Sequence, residues 1–265
     1  MDTEAMSLGS AAEITVPASE TEPGVAGRTP ADLGVLPAAE LAGIRRSARQ
    51  ILSGAAIRVL DVFVAALLLV VLLPLMVLIA IAIRVESAGP AFFRCERVGY
   101  RGRRLRMLKL RKMSHGAQGC SLTTHADTRF TRLGGLLSGL KIDEIPQLWH
   151  VLWGTMSLVG PRPECAEFVD LHRREYAEIL TVRPGMTGLS QIAFVDERRI
   201  LDPDDPVADY INRILPQKVA LDMMYANRRT LSFNLRILFW TAVTLLMRRE
   251  VAVHRDSGKL NIRRR

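Results

Sequence analysis

VFVAALLLVVLLPLMVLIAIAI, residues Val62 to Ile83, is an uncharged apolar run long enough to cross a bilayer as a helix. Two features argue against a straight crossing. Pro74 sits near the middle, where its missing backbone N–H and its ring bend a helix. The dozen or so residues before it rise only roughly 18 Å, short of the hydrocarbon thickness. Arginines lie on both sides: Arg45, Arg46, Arg49 and Arg58 before the run, then Arg84, Arg94, Arg97, Arg101, Arg103, Arg104 and Arg106 after it. Basic flanks mark the cytoplasmic side, so both ends read as cytoplasmic. A helix kinked at Pro74 that enters and leaves through one leaflet meets both conditions. A single-pass anchor is the competing reading, because prolines also occur in spanning helices.

The rest of the 265-residue chain has the apolar content of a folded protein, since hydrophobic residues make up 49% of the whole. Lys and Arg number 36 against 27 Asp and Glu, a net charge of +9 that points to nucleic acid, anionic lipid or phosphorylated substrates. No helix-turn-helix, zinc-finger or RNA-recognition pattern accompanies the charge, which argues against nucleic acid. Cys95, Cys120 and Cys165 show neither CxxC spacing nor histidines at zinc-like intervals, implying a reducing compartment and no metal cage. Residues 1–44, rich in Ala, Ser, Thr, Glu, Gly and Pro, are predicted to be a disordered tail. The membrane region then covers 45–87, a globular domain 88–250 and a basic tail 251–265. Within that domain LRILFWTAVTLLMRR, residues 235–249, is too short to span and suits a helix at the membrane interface or a buried one.

Three stretches of the domain carry charge in places suited to phosphate. Between Ala88 and Met113, basic residues alternate with apolar ones about the glycines Gly99 and Gly102, which predicts a β-hairpin. In KIDEIPQLWH, Lys141 to His150, Pro146 marks the first turn of a helix that begins near Asp143 and stops at Gly154. Asp143 and Glu144 then sit at the positive end of the helix, where unpaired N–H groups also attract phosphate. Taken alone, these residues read first as an ordinary N-cap at Asp143 and a first-turn acid at Glu144. Further on, Arg162 stands between two prolines in GPRPE, presented at little entropic cost for a bidentate phosphate contact.

In order, the Pro-broken apolar helix, FFRCERVG, KLRKM, DTRFTRLG, KIDEIPQLWHVLWGTMSLVGPRPE, VRPGMTGLSQI and LDMMYANRRTLSFNLRIL resemble the bacterial sugar transferase family, the monotopic phosphoglycosyl transferases. The resemblance runs from about Arg58 to Arg249. It implies an α+β, mostly helical fold: a Pro-kinked re-entrant membrane helix broken at Pro74, and a small cytoplasmic catalytic domain carrying a β-hairpin. It also implies transfer of a sugar 1-phosphate from a UDP-sugar to undecaprenyl phosphate at the bacterial inner membrane, with release of UMP. On this resemblance Asp143 is the nucleophile that forms a covalent phosphosugar, Glu144 the magnesium contact, and Lys109, Arg111 and Arg162 the phosphate or nucleotide contacts. The implied partners are UDP-sugar, undecaprenyl phosphate and membrane lipids, with Mg2+ as cofactor, no nucleic acid, and a homodimer left open.

The chain departs from the family's pattern at several points. Ser138 stands where an arginine is usual, five residues before the aspartate, and Lys141 three positions later is the candidate replacement cation. Thr155 and Asn234 replace aspartates, Leu73 replaces the serine before Pro74, and the Gly-Arg usual after Gln191 is missing, with Arg198 or Arg199 as substitutes. These changes keep a second reading open, a degenerate relative that binds UDP-sugar or lipid phosphate without turnover.

Overall fold

The structure, a computed structural model, describes residues 48–117, 122–124, 127–247, 251–254 and 258–262. The tail predicted over 1–44, and Cys120, lie outside them. The chain is mostly helical, with one long apolar helix and, among the described residues, three two-stranded sheets.

The long helix, α1 (Ala48–Glu86), runs unbroken through Pro74. Ser53–Glu86 is the one helix among the described residues long and apolar enough to cross a membrane. It buries a single stripe, Ile57, Asp61, Ala65, Leu69, Met76 and Ile83, at the spacing of one helical face. Most of the remaining surface is bare hydrocarbon, including Phe63, Val70, Leu78 and Val85. A soluble domain rarely leaves so large an apolar patch open, and this surface is compatible with contact to lipid.

Two polar residues at the start of that stripe fasten α1 to the domain. Arg58 donates to the carbonyls of Val151 and Leu152 at 2.5 and 2.7 Å, closing the end of α3 (Leu148–Trp153). Asp61 accepts from the Ser157 hydroxyl at 2.6 Å and from the Leu158 N–H at 3.0 Å, on β3 (Ser157–Val159). At its far end Glu86 accepts from the Leu133 N–H at 2.9 Å, in α2 (Arg132–Gly139). The same domain therefore grips both ends of the helix.

The expected hairpin forms from β1 (Phe92–Val98) and β2 (Arg104–Leu110), antiparallel, with Cys95 opposite Met107. The strand β3 pairs in parallel with β4 (Gly185–Thr187) beside the core of Val151, Met156, Leu189 and Ile237. The short helices α4 (Ala166–Leu171), α5 (Arg173–Ile179), α6 (Leu189–Ala193), α7 (Glu197–Ile200) and α8 (Pro206–Asp209), with the turn Tyr210–Ile214, lead to α9 (Leu215–Arg228) and α10 (Leu231–Met247), which close the other side. The C-terminal residues expected as a basic tail are folded where they are described. Val251–Val253 and Leu260–Ile262 pair as antiparallel strands, with Val251 and Leu260 in the core. Their short apolar alternation is enough to pack once Gly258, at φ +66°, turns the chain.

Candidate active site

Asp143 and Glu144, the acidic dyad, do not sit in an ordinary helix start. Lys141 is in the left-handed region at φ 59°, and Ile142–Gln147 forms tight 3-10 turns that carry Asp143, Glu144 and Pro146 before α3 begins. Pro146 favours this entry because it needs no N–H partner. Gly154, left-handed at φ 80°, stops α3 where expected. Asp143 is thus not an N-cap: it makes no capping hydrogen bond, and it is only 2% exposed.

Its surroundings set a cation beside the buried carboxyl. Oδ2 of Asp143 has no hydrogen bond, and the ammonium of Lys112 lies 3.3 Å from it, near enough to pair electrostatically. Lys112 also donates to the Ser138 hydroxyl at 3.3 Å. Burial lowers the Lys112 pKa, with the Asp143 carboxylate pulling the other way. Glu144 takes both its cations on one oxygen, Oε1: Lys109 at 2.9 Å and Arg162 at 3.1 Å. Burial favours its neutral form, but Arg162 and Lys109 together outweigh that and hold the carboxyl well below the usual range. In return Glu144 raises the pKa of Arg162 further, against burial.

Lys112, Ser138, Asp143, Glu144 and Arg162 line a cavity of about 170 Å³, while Lys109 stands behind Glu144. Lys141 lines it too, and burial followed by Arg162 lowers its pKa, but among the described residues it forms no ion pair with either carboxylate. Ser190, Gln191, Glu197 and Lys218 line the same cavity. Lys218 is itself buried in a network, donating to Tyr210 at 2.8 Å and Glu197 at 3.1 Å, while Tyr210 donates to Glu164 at 2.7 Å. Thr241, Thr244 and Leu245 of α10 line the cavity, and Leu245 is also exposed at the surface, so apolar side chain reaches its rim. Arg198 also lines the cavity, 5.5 Å from the Phe130 ring whose other partner, at 5.7 Å, is Lys112.

Of the residues expected from sequence, Lys109, Lys141, Asp143, Glu144 and Arg162 come together. Arg111 does not join them. Its guanidinium donates to the carbonyls of Ala88 and Ser87, the latter at 2.7 Å, and to the Ser87 hydroxyl at 3.0 Å, closing the end of α1. The reason is local: β2 ends at Leu110, the two-residue alternation lapses, and Lys112 rather than Arg111 turns toward Asp143. Lys112, Glu197 and Lys218 went unnoticed in the sequence; the basic KLRKM run was the available signal for Lys112, and nothing local marked the others. Thr155 meets Nδ1 of His150 at 3.2 Å, while Nε2 of His150 accepts the Leu108 N–H at 3.2 Å. Asn234 accepts from Tyr225 at 2.9 Å, deep in the core. Neither departure touches the dyad.

The bacterial sugar transferase profile matches residues 52–248. The chain belongs to that family. As a bacterial sugar transferase it is 40% identical over 194 residues to a UDP-glucose:undecaprenyl-phosphate glucose-1-phosphate transferase of Caulobacter vibrioides, covering 71% of this chain and 69% of that one. It is 36% identical over 194 residues to a UDP-N-acetylgalactosamine-undecaprenyl-phosphate N-acetylgalactosaminephosphotransferase of Aeromonas hydrophila, where the match spans 71% of this chain but only 43% of the relative's length. A Rhizobium leguminosarum exopolysaccharide production protein, PSS, is 33% identical over 204 residues, 72% of this chain and 95% of its own. These relatives place the sugar transferase among phosphotransferase enzymes.

Proposed function

We propose that the chain transfers a sugar 1-phosphate from a UDP-sugar to undecaprenyl phosphate through a covalent phosphosugar on Asp143. The carrying observation is a buried carboxylate whose Oδ2 lacks a hydrogen bond, opening on a cavity lined by the cations Lys112, Lys141 and Arg162. An unsolvated carboxylate oxygen is a competent nucleophile, and the cations offset its repulsion from the incoming diphosphate. The Asp143 oxygen forms a bond to the sugar-bearing phosphorus, and the bond from that phosphorus to the bridging oxygen breaks. UMP leaves with the electron pair. The phosphate oxygen of the lipid then attacks the same phosphorus and returns Asp143 to its carboxylate. The rim formed by α10 gives the lipid phosphate a path from an apolar surface to the cavity. Names of the relatives include both glucose and N-acetylgalactosamine donors, so the donor is proposed only as a UDP-sugar.

Magnesium fits this donor set in one way. Among the described residues no cluster of three or more carboxylate, histidine or cysteine ligands assembles. Mg2+ commonly takes one or two carboxylates and completes its shell with substrate phosphates and water, which suits Glu144 beside Asp143. Bound there it would neutralise charge on the diphosphate. Both protein cations close on Oε1 of Glu144, so metal binding competes with them for that carboxylate.

We further place the chain at the cytoplasmic face of the inner membrane, with α1 re-entrant or lying in the membrane. Arg58 and Glu86 are separated by roughly 42 Å along a straight helix, more than the hydrocarbon thickness, yet both are held by one domain. With UDP-sugar and no lipid acceptor, the enzyme should release UMP in a burst of about one equivalent and gain a phosphosugar mass on the peptide containing Asp143. Asp143→Asn should abolish both. Transfer that survives this change would mean direct attack of lipid phosphate on the donor and would sink the covalent reading.

A further inference from the structure

We infer that Lys112 is the cation that receives the phosphoryl group at Asp143, aimed there by the Ser138 hydroxyl. The inference rests on the covalent reading above and assigns a residue that the sequence motifs left out. Lys141, the substitute expected from sequence, lines the cavity without reaching the dyad carboxylates, whereas the Lys112 ammonium is 3.3 Å from Oδ2 of Asp143. No hydrogen bond competes for that oxygen. A group bonded to Oδ2 would therefore bring its own oxygens next to the ammonium, the placement that stabilises charge developing on a transferring phosphoryl.

The lysine is held for this task from both ends. Its carbonyl accepts the Thr131 N–H at 3.2 Å, and Gly134 of α2 lies so close that a Cβ there would come within 1.9 Å of the same carbonyl oxygen. Its ammonium is fixed by Ser138 at 3.3 Å and by the face of Phe130 at 5.7 Å. Ser138 is 4% exposed and on the cavity wall, so a longer cationic side chain at 138 would project into the space the ammonium fills. The two positions are thus alternative sources of one charge.

The test uses the full chain in detergent with magnesium and the UDP-sugar that the parent turns over, comparing parent, Lys112→Met, Lys112→Met with Ser138→Arg, and Asp143→Asn. The rate of the UMP burst and the phosphosugar mass are measured beside the thermal midpoint. Lys112→Met should slow the burst about 100-fold while keeping the midpoint, and adding Ser138→Arg should recover at least about tenfold of that loss. A merely structural lysine in the segment after β2 would not be rescued by an arginine placed on α2. A Lys112→Met burst within about threefold of the parent, with the adduct still lost in Asp143→Asn, overturns the role of Lys112 and leaves the covalent reading standing. If Lys112→Met unfolds, Lys112→Arg takes its place: a retained burst supports the assignment, and an abolished burst in a folded Lys112→Arg overturns it. An adduct that persists in Asp143→Asn overturns both.

Discussion

Asp222 shows how a carboxylate can be essential to shape and costly in charge. It is 3% exposed, accepts the Ser190 hydroxyl at 2.7 Å on the cavity wall, and burial raises its pKa from 3.8 to about 7. Between those two values the folded chain keeps a proton that the unfolded chain has lost. Stability therefore falls as pH climbs through that window and levels off above it. Asp222→Asn keeps an acceptor for Ser190 and removes the titration. Between about pH 5 and about pH 8 the thermal midpoint of the parent should fall further than that of Asp222→Asn. Parallel slopes would show that the carboxyl is already ionised in the folded protein. At the dyad, Lys141→Ala should reduce the UMP burst less than Lys112→Met, because Lys141 pairs with neither carboxylate. Equal losses would restore Lys141 as the substitute cation.

Whole elements set the dyad through contacts made by α1. Arg58 holds the last carbonyls of α3, the helix that continues directly from the turns bearing Asp143 and Glu144. Arg58→Ala leaves those carbonyls without their charged donor, and should cost about 2 kcal/mol, read as a lower denaturation midpoint in detergent. An unchanged midpoint would mean that water replaces the guanidinium. Which elements were legible from sequence follows the range of the forces that make them. The apolar run, the hairpin, the stop at Gly154 and the cluster of Lys109, Glu144 and Arg162 depend on local periodicity, turn chemistry or a specific motif. The network of Glu164, Tyr210 and Lys218 joins positions far apart in the chain, so no local spacing announced it. Arg111 and Lys112 are adjacent and both basic. Only the point at which β2 ends decides which one faces the site, and element boundaries are the least local property of a strand.

At the scale of the whole molecule, one question joins the membrane helix to the chemistry: on which side of the bilayer each end of α1 lies. The helix is unbroken through Pro74, yet its buried stripe runs from Ile57 to Ile83 against a single domain, and both ends carry polar anchors to that domain. A spanning helix would have to tear one anchor away, exposing either the Asp61 and Arg58 partners or the contact of Glu86 with Leu133. On the proposed topology, that loss of hydrogen bonds to charged groups is what opposes a straight crossing. In a cysteine-free background, Ala55→Cys and Ala88→Cys, both on exposed positions, should each resist an impermeant thiol reagent applied outside intact cells and react once the membrane is opened. Labelling of the Ala55 site alone from outside would show a crossing and would separate the N-terminal anchor from the domain. Pro74→Leu tests what sustains the shared side. It restores a backbone hydrogen bond at the middle of α1. If the proline bend keeps both ends together, this variant should begin to label at one end; if the anchors alone suffice, it should stay protected at both and lose protection only when Arg58→Ala is added.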